Sequence, residues 1–105
     1  MKRLSKKQIN ENIEELKDEI NWYGIKKSIA NAMLELAKKH GFEFSGHGCG
    51  LNCEDFNLST DKLDIIFCDQ GSKVLTTITT NDTDTPKKLY KGTINGALKY
   101  VKNYK

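Results

Sequence analysis

The hydrophobic period of this chain changes at Gly41 from that of helices to that of strands, and that change restricts what it can fold into. Before Gly41 the apolar residues recur three and four apart: Ile9, Ile13, Leu16 and Ile20, then Ile25, Ile29, Ala32, Met33 and Leu36. Each set is one face of a helix. After Gly41 they alternate, first in Phe42-Glu43-Phe44 and most clearly from Leu63 to Cys68, the two-residue period of a strand. A chain that writes helices first and strands afterwards points to the α+β class, with an antiparallel sheet covered by helices.

Local signals divide the chain further. Ser5-Lys6-Lys7-Gln8 reads as a capping box, in which serine and glutamine satisfy each other's backbone N–H. Glu11, Glu14, Glu15, Asp18 and Glu19 occupy the face away from the first stripe, and Trp22-Tyr23-Gly24 reads as a hinge. Lys38, Lys39 and His40 suit the negative end of the second helix, and Gly41 suits its C-cap. Residues 45–53 read as a glycine-rich loop and 54–60 as an edge strand through Phe56 and Leu58. Leu63 to Cys68 carries apolar residues on both faces, so it is placed centrally. Asp69-Gln70-Gly71-Ser72 is turn chemistry, so Val74 to Thr80 returns as a hairpin partner. Thr85-Pro86 reads as the start of the last helix, whose inner face holds Ile94, Ala97, Leu98, Val101 and Tyr104. A start near Thr93, after Gly92, is the alternative. The expected architecture is an antiparallel three- to four-stranded sheet packed against helices, in the order α-α-β-(β)-β-β-α. It forms a single domain over 1–105, an N-terminal helix (1–23) added to an α-β-β-β-α unit (25–104).

The 105 residues suffice for one core without staples. No apolar run is long enough to span a membrane, and Lys2 and Arg3 precede polar residues, so neither a membrane segment nor a signal peptide is expected. Three cysteines, an odd number, and no secretion signal suit a reduced, cytoplasmic setting.

Charge is divided unevenly. Residues 86–105 hold six lysines and no acid, whereas 42–85 hold eight acids and two lysines. A net charge of +3 therefore conceals a strongly basic end, and local charge selects a phosphate-rich or acidic partner. If the last helix begins at Pro86, Lys88, Lys91, Lys99 and Lys102 fall within a quarter turn of its wheel. Lys87, Lys88 and Lys91 would then sit at its N-terminus, against the macrodipole. Gly92 and Gly96 would each cost about 1 kcal/mol relative to alanine. Broken local rules of this kind mark functional segments, and lysines beside free N–H groups would make a phosphate site. Asp82 and Asp84 lie just upstream and could neutralise the cluster.

Residues 25–104 resemble the α-β-β-β-α layout of double-stranded RNA-binding domains, where a Lys-Lys-x-x-Lys cluster entering the last helix grips phosphates; Lys87, Lys88 and Lys91 have that spacing. The layout is also similar to HicA-type mRNA-interferase toxins, whose segments Gly41-Phe42 and Gly92-Thr93-Ile94 resemble. The extra N-terminal helix belongs to neither pattern. At the place of the toxin's catalytic histidine this chain offers Leu63-Asp64, and the nearest candidate, His47, lies in another segment. The resemblance implies RNA contact more than RNA cleavage.

His40, His47, Cys49 and Cys53 lie within fourteen residues, with Cys68 able to approach from its strand. The spacing His47-x-Cys49-x3-Cys53 fits no usual zinc knuckle, so no metal or cofactor is expected. Were zinc bound, His47, Cys49 and Cys53 would hold it. Trp22 and Tyr23 are candidate interface anchors. Tyr90, Tyr100 and Tyr104 are read as cover for the sheet, with base stacking as the other use.

The leading expectation is a small regulatory or inhibitory binding protein without enzymatic activity, of a style common on phages and mobile elements. It would dock on a nucleic acid, or a nucleic-acid-handling protein, through Lys87, Lys88, Lys91, Lys99 and Lys102. One alternative is a protein–protein module or homo-oligomer built on the narrow stripe of helix 1 and the acidic sheet. The other is a HicA-like RNase with His47 as acid–base group.

Overall fold

The computed structural model describes residues 5–50, 53–81 and 84–104, with the backbone alone for 49 and 50. Two helices come first, α1 (Lys6–Tyr23) and α2 (Lys27–His40). Five strands follow: β1 (Glu43–Gly50), β2 (Cys53–Ser59), β3 (Leu63–Asp69), β4 (Val74–Thr80) and β5 (Lys88–Gly92). Helix α3 (Ile94–Asn103) closes the fold. The strands form one antiparallel meander in the order β1-β2-β3-β4-β5.

The helix ends obey their local chemistry. Ser5 and Gln8 make the capping box in both directions, at 3.2 and 3.0 Å. Gly24 (φ 62°) and Gly41 (φ 71°) end α1 and α2 in the left-handed region, where a Cβ is penalised. Most of the stripe of α1 is spent within the chain: Leu16 is buried, and Ile13 and Ile20 pack against the same core. Ile29, Met33 and Leu36 of α2 are fully buried.

All three helices lie on one face of the sheet. That face presents Phe56 and Leu58 of β2, Leu63, Ile65 and Phe67 of β3, and Thr76 and Ile78 of β4, all buried. The opposite face carries Asp55, Asn57, Asp64, Ile66, Cys68, Leu75, Thr77 and Thr79, each half-buried. It is open to solvent, as one face of an antiparallel sheet commonly is.

The expected α+β class holds, but the sheet has five strands where three to four were expected. The segment read as a glycine-rich loop is β1, whose Gly46, His47 and Gly48 pair with Asn57, Phe56 and Asp55. Glycine lowers strand propensity, yet pairing with an apolar neighbouring strand overrides it. The strand read as an edge, β2, is therefore interior, and β3 is central as expected. At the other end, Pro86 starts no helix. Residues 88–92 pair with β4, and α3 begins at Ile94 with the Thr93 side chain capping Gly96 N–H at 3.1 Å. Lys87, Lys88 and Lys91 thus lie before and on an edge strand, so the quarter-turn lysine face and the helix-terminal phosphate site do not exist. The supposed cost of Gly92 inside a helix disappears with them. Asp82 lies outside the described residues.

Thr76 is the one buried polar residue among those described, at 0% exposure, and its Oγ1 has no hydrogen-bond partner. An orphaned buried hydroxyl costs about 1–3 kcal/mol. Thr76→Val keeps the β-branched shape and removes that group. It is expected to raise the urea midpoint, by about 1 kcal/mol in unfolding free energy, with an unchanged m-value.

Candidate functional site

The basic end is built around the free edge of β5. Along β5, Tyr90 pairs with Ile78 and Lys91 with Thr77, and then Lys88 pairs with Thr79, skipping Leu89. This bulge matters because residues three apart on a regular strand face opposite ways. Here it sends Lys88 and Lys91 to the same, open face, where both are exposed. Lys99 and Lys102 are exposed on α3, which packs on β4 and β5 from the other side. Lys87 is exposed just before the strand, its N–H donating to Thr80 Oγ1 at 2.9 Å. The lysines therefore bracket an edge from two sides. Among the described residues, none of their ammonium groups pairs with a carboxylate.

On the helix side of this edge, beside Lys99, runs a row of tyrosines. The Tyr90 and Tyr100 ring centroids are 6.0 Å apart, and those of Tyr100 and Tyr104 are 6.1 Å apart. Together with Gly96, Lys99 and Asn103 the three rings line a cavity of about 440 Å³, within the range of about 300–1,000 Å³ usual for ligand sites. The reading of these tyrosines as cover for the sheet is half right: each is partly buried against the core while lining the groove.

Gly96 explains the row's geometry. A Cβ there would land on the hydroxyl of Tyr90, and one at Gly92 would lie 2.7 Å from it. These glycines admit the Tyr90 ring, whose hydroxyl donates to the Thr93 carbonyl at 3.1 Å. Gly96→Ala should favour the helix by about 1 kcal/mol, but it must evict Tyr90. The expected result is no gain in stability and loss of the Tyr90–Tyr100 contact, read by nuclear Overhauser effects between the two rings.

The acidic end is organised differently. Tyr23, at the end of α1, stacks on His47 with centroids 4.2 Å apart, and His47 leans on Phe56 at 5.1 Å. His47 Nε2 lies 3.2 Å from Glu54 Oε2. Histidine and Tyr23 thus fasten α1 to the β1–β2 hairpin on the helix-covered face. Trp22, expected beside Tyr23 as an interface anchor, is 81% exposed. His40, in the last turn of α2, has its pKa lowered, by burial first and by Lys39 also, against the opposing pull of Glu35.

The proposed zinc set of His47, Cys49 and Cys53 is not assembled. His47 shares the helix face with Phe56, whereas Cys53 precedes the open-face residue Asp55 by two and shares its face. The side chain of Cys49 lies outside the described residues. What the sheet does assemble is Cys53, Asp55 and Cys68, whose ligand atoms all lie within 4.8 Å of one another. Desolvation by burial, then hydrogen bonding to Asp55 and Cys53, pushes the Cys68 thiol up to about 11. It therefore keeps its proton at neutral pH. Sequence inspection missed this group because its spacing is set by the β2–β3 register. The available signal was Cys53-x-Asp55 at strand period facing a third strand residue across a hairpin.

A larger cleft of about 560 Å³ lies where the starts of α2 and α3 meet the β3–β4 turn, lined by Lys26, Ser28, Glu35, Lys73 and Asn95 among others. Lys26 is already engaged there, at 3.3 Å from Asp69 and donating to the Gly71 carbonyl at 2.9 Å.

Compared with known proteins, the chain matches no family model, no curated protein and no solved structure.

Proposed function

We propose that this protein is a non-enzymatic nucleic-acid-binding protein that takes a single strand along β5 and α3. The observation that carries this reading is the Tyr90–Tyr100–Tyr104 row, lined also by Lys99, at an edge whose lysines have no carboxylate partner among the described residues. Single-stranded nucleic acid is held by two means, cationic side chains tracking phosphates and aromatic rings stacking on bases. Lysines on an edge strand also prevent strand-to-strand aggregation, but that role has no use for a tyrosine-lined groove. The ligand's regulatory or inhibitory consequence follows from occupancy, since β5 and α3 bring no acid–base pair to the groove. The competing reading, a protein–protein module or homo-oligomer, draws on exposed Trp22. The RNase reading loses support from His47, whose ring is stacked on Tyr23.

The test is fluorescence anisotropy of a labelled single-stranded RNA at two salt concentrations, with sedimentation velocity of the protein alone. Binding that weakens steeply with salt supports the proposal. Absence of binding at low salt, with salt-insensitive self-association, overturns it in favour of the protein–protein module.

A further inference from the structure

We propose that Cys53, Asp55 and Cys68 form a binding site for a zinc-class divalent cation on the open face of the sheet. The site follows from register. Asp55 and Cys68 are directly paired across β2 and β3. Cys53 lies two residues before Asp55 on the same strand, which puts all three on one face. Their ligand atoms lie within 4.8 Å of one another. Tetrahedral ligands bonded at about 2.0–2.3 Å sit somewhat closer than that, a difference that side-chain rotation can close.

The donor set selects the ion. Two thiolates and one carboxylate suit a borderline-soft, tetrahedral cation and disfavour magnesium or calcium, which take oxygen ligands. Three protein ligands leave a fourth position for water or an incoming ligand, the pattern of an open zinc site. As each S–metal bond forms, the thiol proton leaves to solvent, so two protons are released for the two cysteines.

An independent observation comes from Asp55 itself. The Cys68 thiol is hydrogen-bonded to its carboxylate, yet its Oδ1 is shielded from water and has no hydrogen-bond partner. Asp64, on the same face, is satisfied: Ser59 Oγ donates to it at 2.6 Å and Asn81 Nδ2 at 3.0 Å. A shielded carboxylate oxygen without a donor is costly, and a cation bridging to the two sulfurs would supply its missing partner. The surroundings agree. Gln70 Nε2 lies 3.8 Å from Cys68 Sγ as an outer hydrogen-bond donor. A disulfide between Cys53 and Cys68 would use the same sulfurs but would leave Asp55 Oδ1 without a partner.

The experiment is a cobalt(II) titration of the purified, reduced full-length protein, followed by zinc displacement, with circular dichroism to confirm that each variant is folded. A thiolate-to-cobalt charge-transfer band at one equivalent is expected, erased by zinc. Cys53→Ser and Cys68→Ser should each lower the band to about half, one of two thiolates being lost. Asp55→Asn should keep the band while weakening affinity, one of the three ligands being lost. Cys49→Ser should retain it unchanged. The proposal fails if no charge-transfer band forms, or if the band survives the Cys53→Ser/Cys68→Ser double variant. It fails equally if the band is lost in Cys49→Ser.

Discussion

Phe67→Ala is expected to lower the unfolding free energy by about 3–5 kcal/mol, the cost of emptying an aromatic site that cannot collapse. Phe67 is 0% exposed in the middle strand, paired with buried Phe56 on one side and buried Thr76 on the other. Its ring lies under the helix layer, so its loss opens a cavity bounded by rigid neighbours on both strands. Against a total stability of about 5–15 kcal/mol for a domain of this kind, the change is large enough to populate the unfolded state at moderate temperature. The comparison that gives it meaning is Ile66→Ala, one residue away on the open, half-buried face. Ile66 should cost well under half as much, since part of its surface already meets water. Urea unfolding of both variants measures the difference. Equal losses would mean that the open face is packed against something, and the one-sided architecture would be wrong.

The second large effect concerns the groove. Tyr100 is the middle ring of the row, with a neighbour at about 6 Å on each side. If a base stacks there, Tyr100→Ala should weaken single-strand binding by about 1–3 kcal/mol, or about 5–150-fold. Replacing Lys88, Lys91 and Lys99 together by alanine should act differently. Each phosphate contact contributes about −0.7 to the slope of log K against log salt for single strands, so the slope should flatten by about 2. Tyr100→Ala should leave that slope unchanged. The two variants separate stacking from charge, and a triple-lysine variant with an unaltered salt slope would falsify the assignment of β5 and α3 as the binding surface. Lys62→Ala, on the β2–β3 turn, is the control that should change neither quantity.

Much of the fold is legible in the sequence because its signals are local. A capping box needs only Ser5 and Gln8, a C-cap needs only Gly41, and Leu63 to Cys68 declares itself through its own composition. The errors fall where local preference and pairing disagree. Gly46 and Gly48 favour a loop, but β2 beside them offers a ladder of backbone partners, and β1 forms. Thr85-Pro86 looks like a helix start, yet Leu89 and Tyr90 have apolar surface to pack against β4 and α3, and β5 forms in its place. That single change relocates Lys87, Lys88 and Lys91 from a helix to an edge.

The amino-acid sequence by itself determined the α+β class, the start of α1, the end of α2, the central hairpin and the basic C-terminal end. Each depends on residues within a few positions of one another or on a count of charges. Tertiary structure alone decided which side chains share a site. Tyr90 meets Tyr100 because two glycines admit its ring, Lys88 joins Lys91 through a bulge at Leu89, and Cys68 reaches Asp55 and Cys53 through strand register. Register and bulges are set by how a whole strand buries its apolar face against its neighbours.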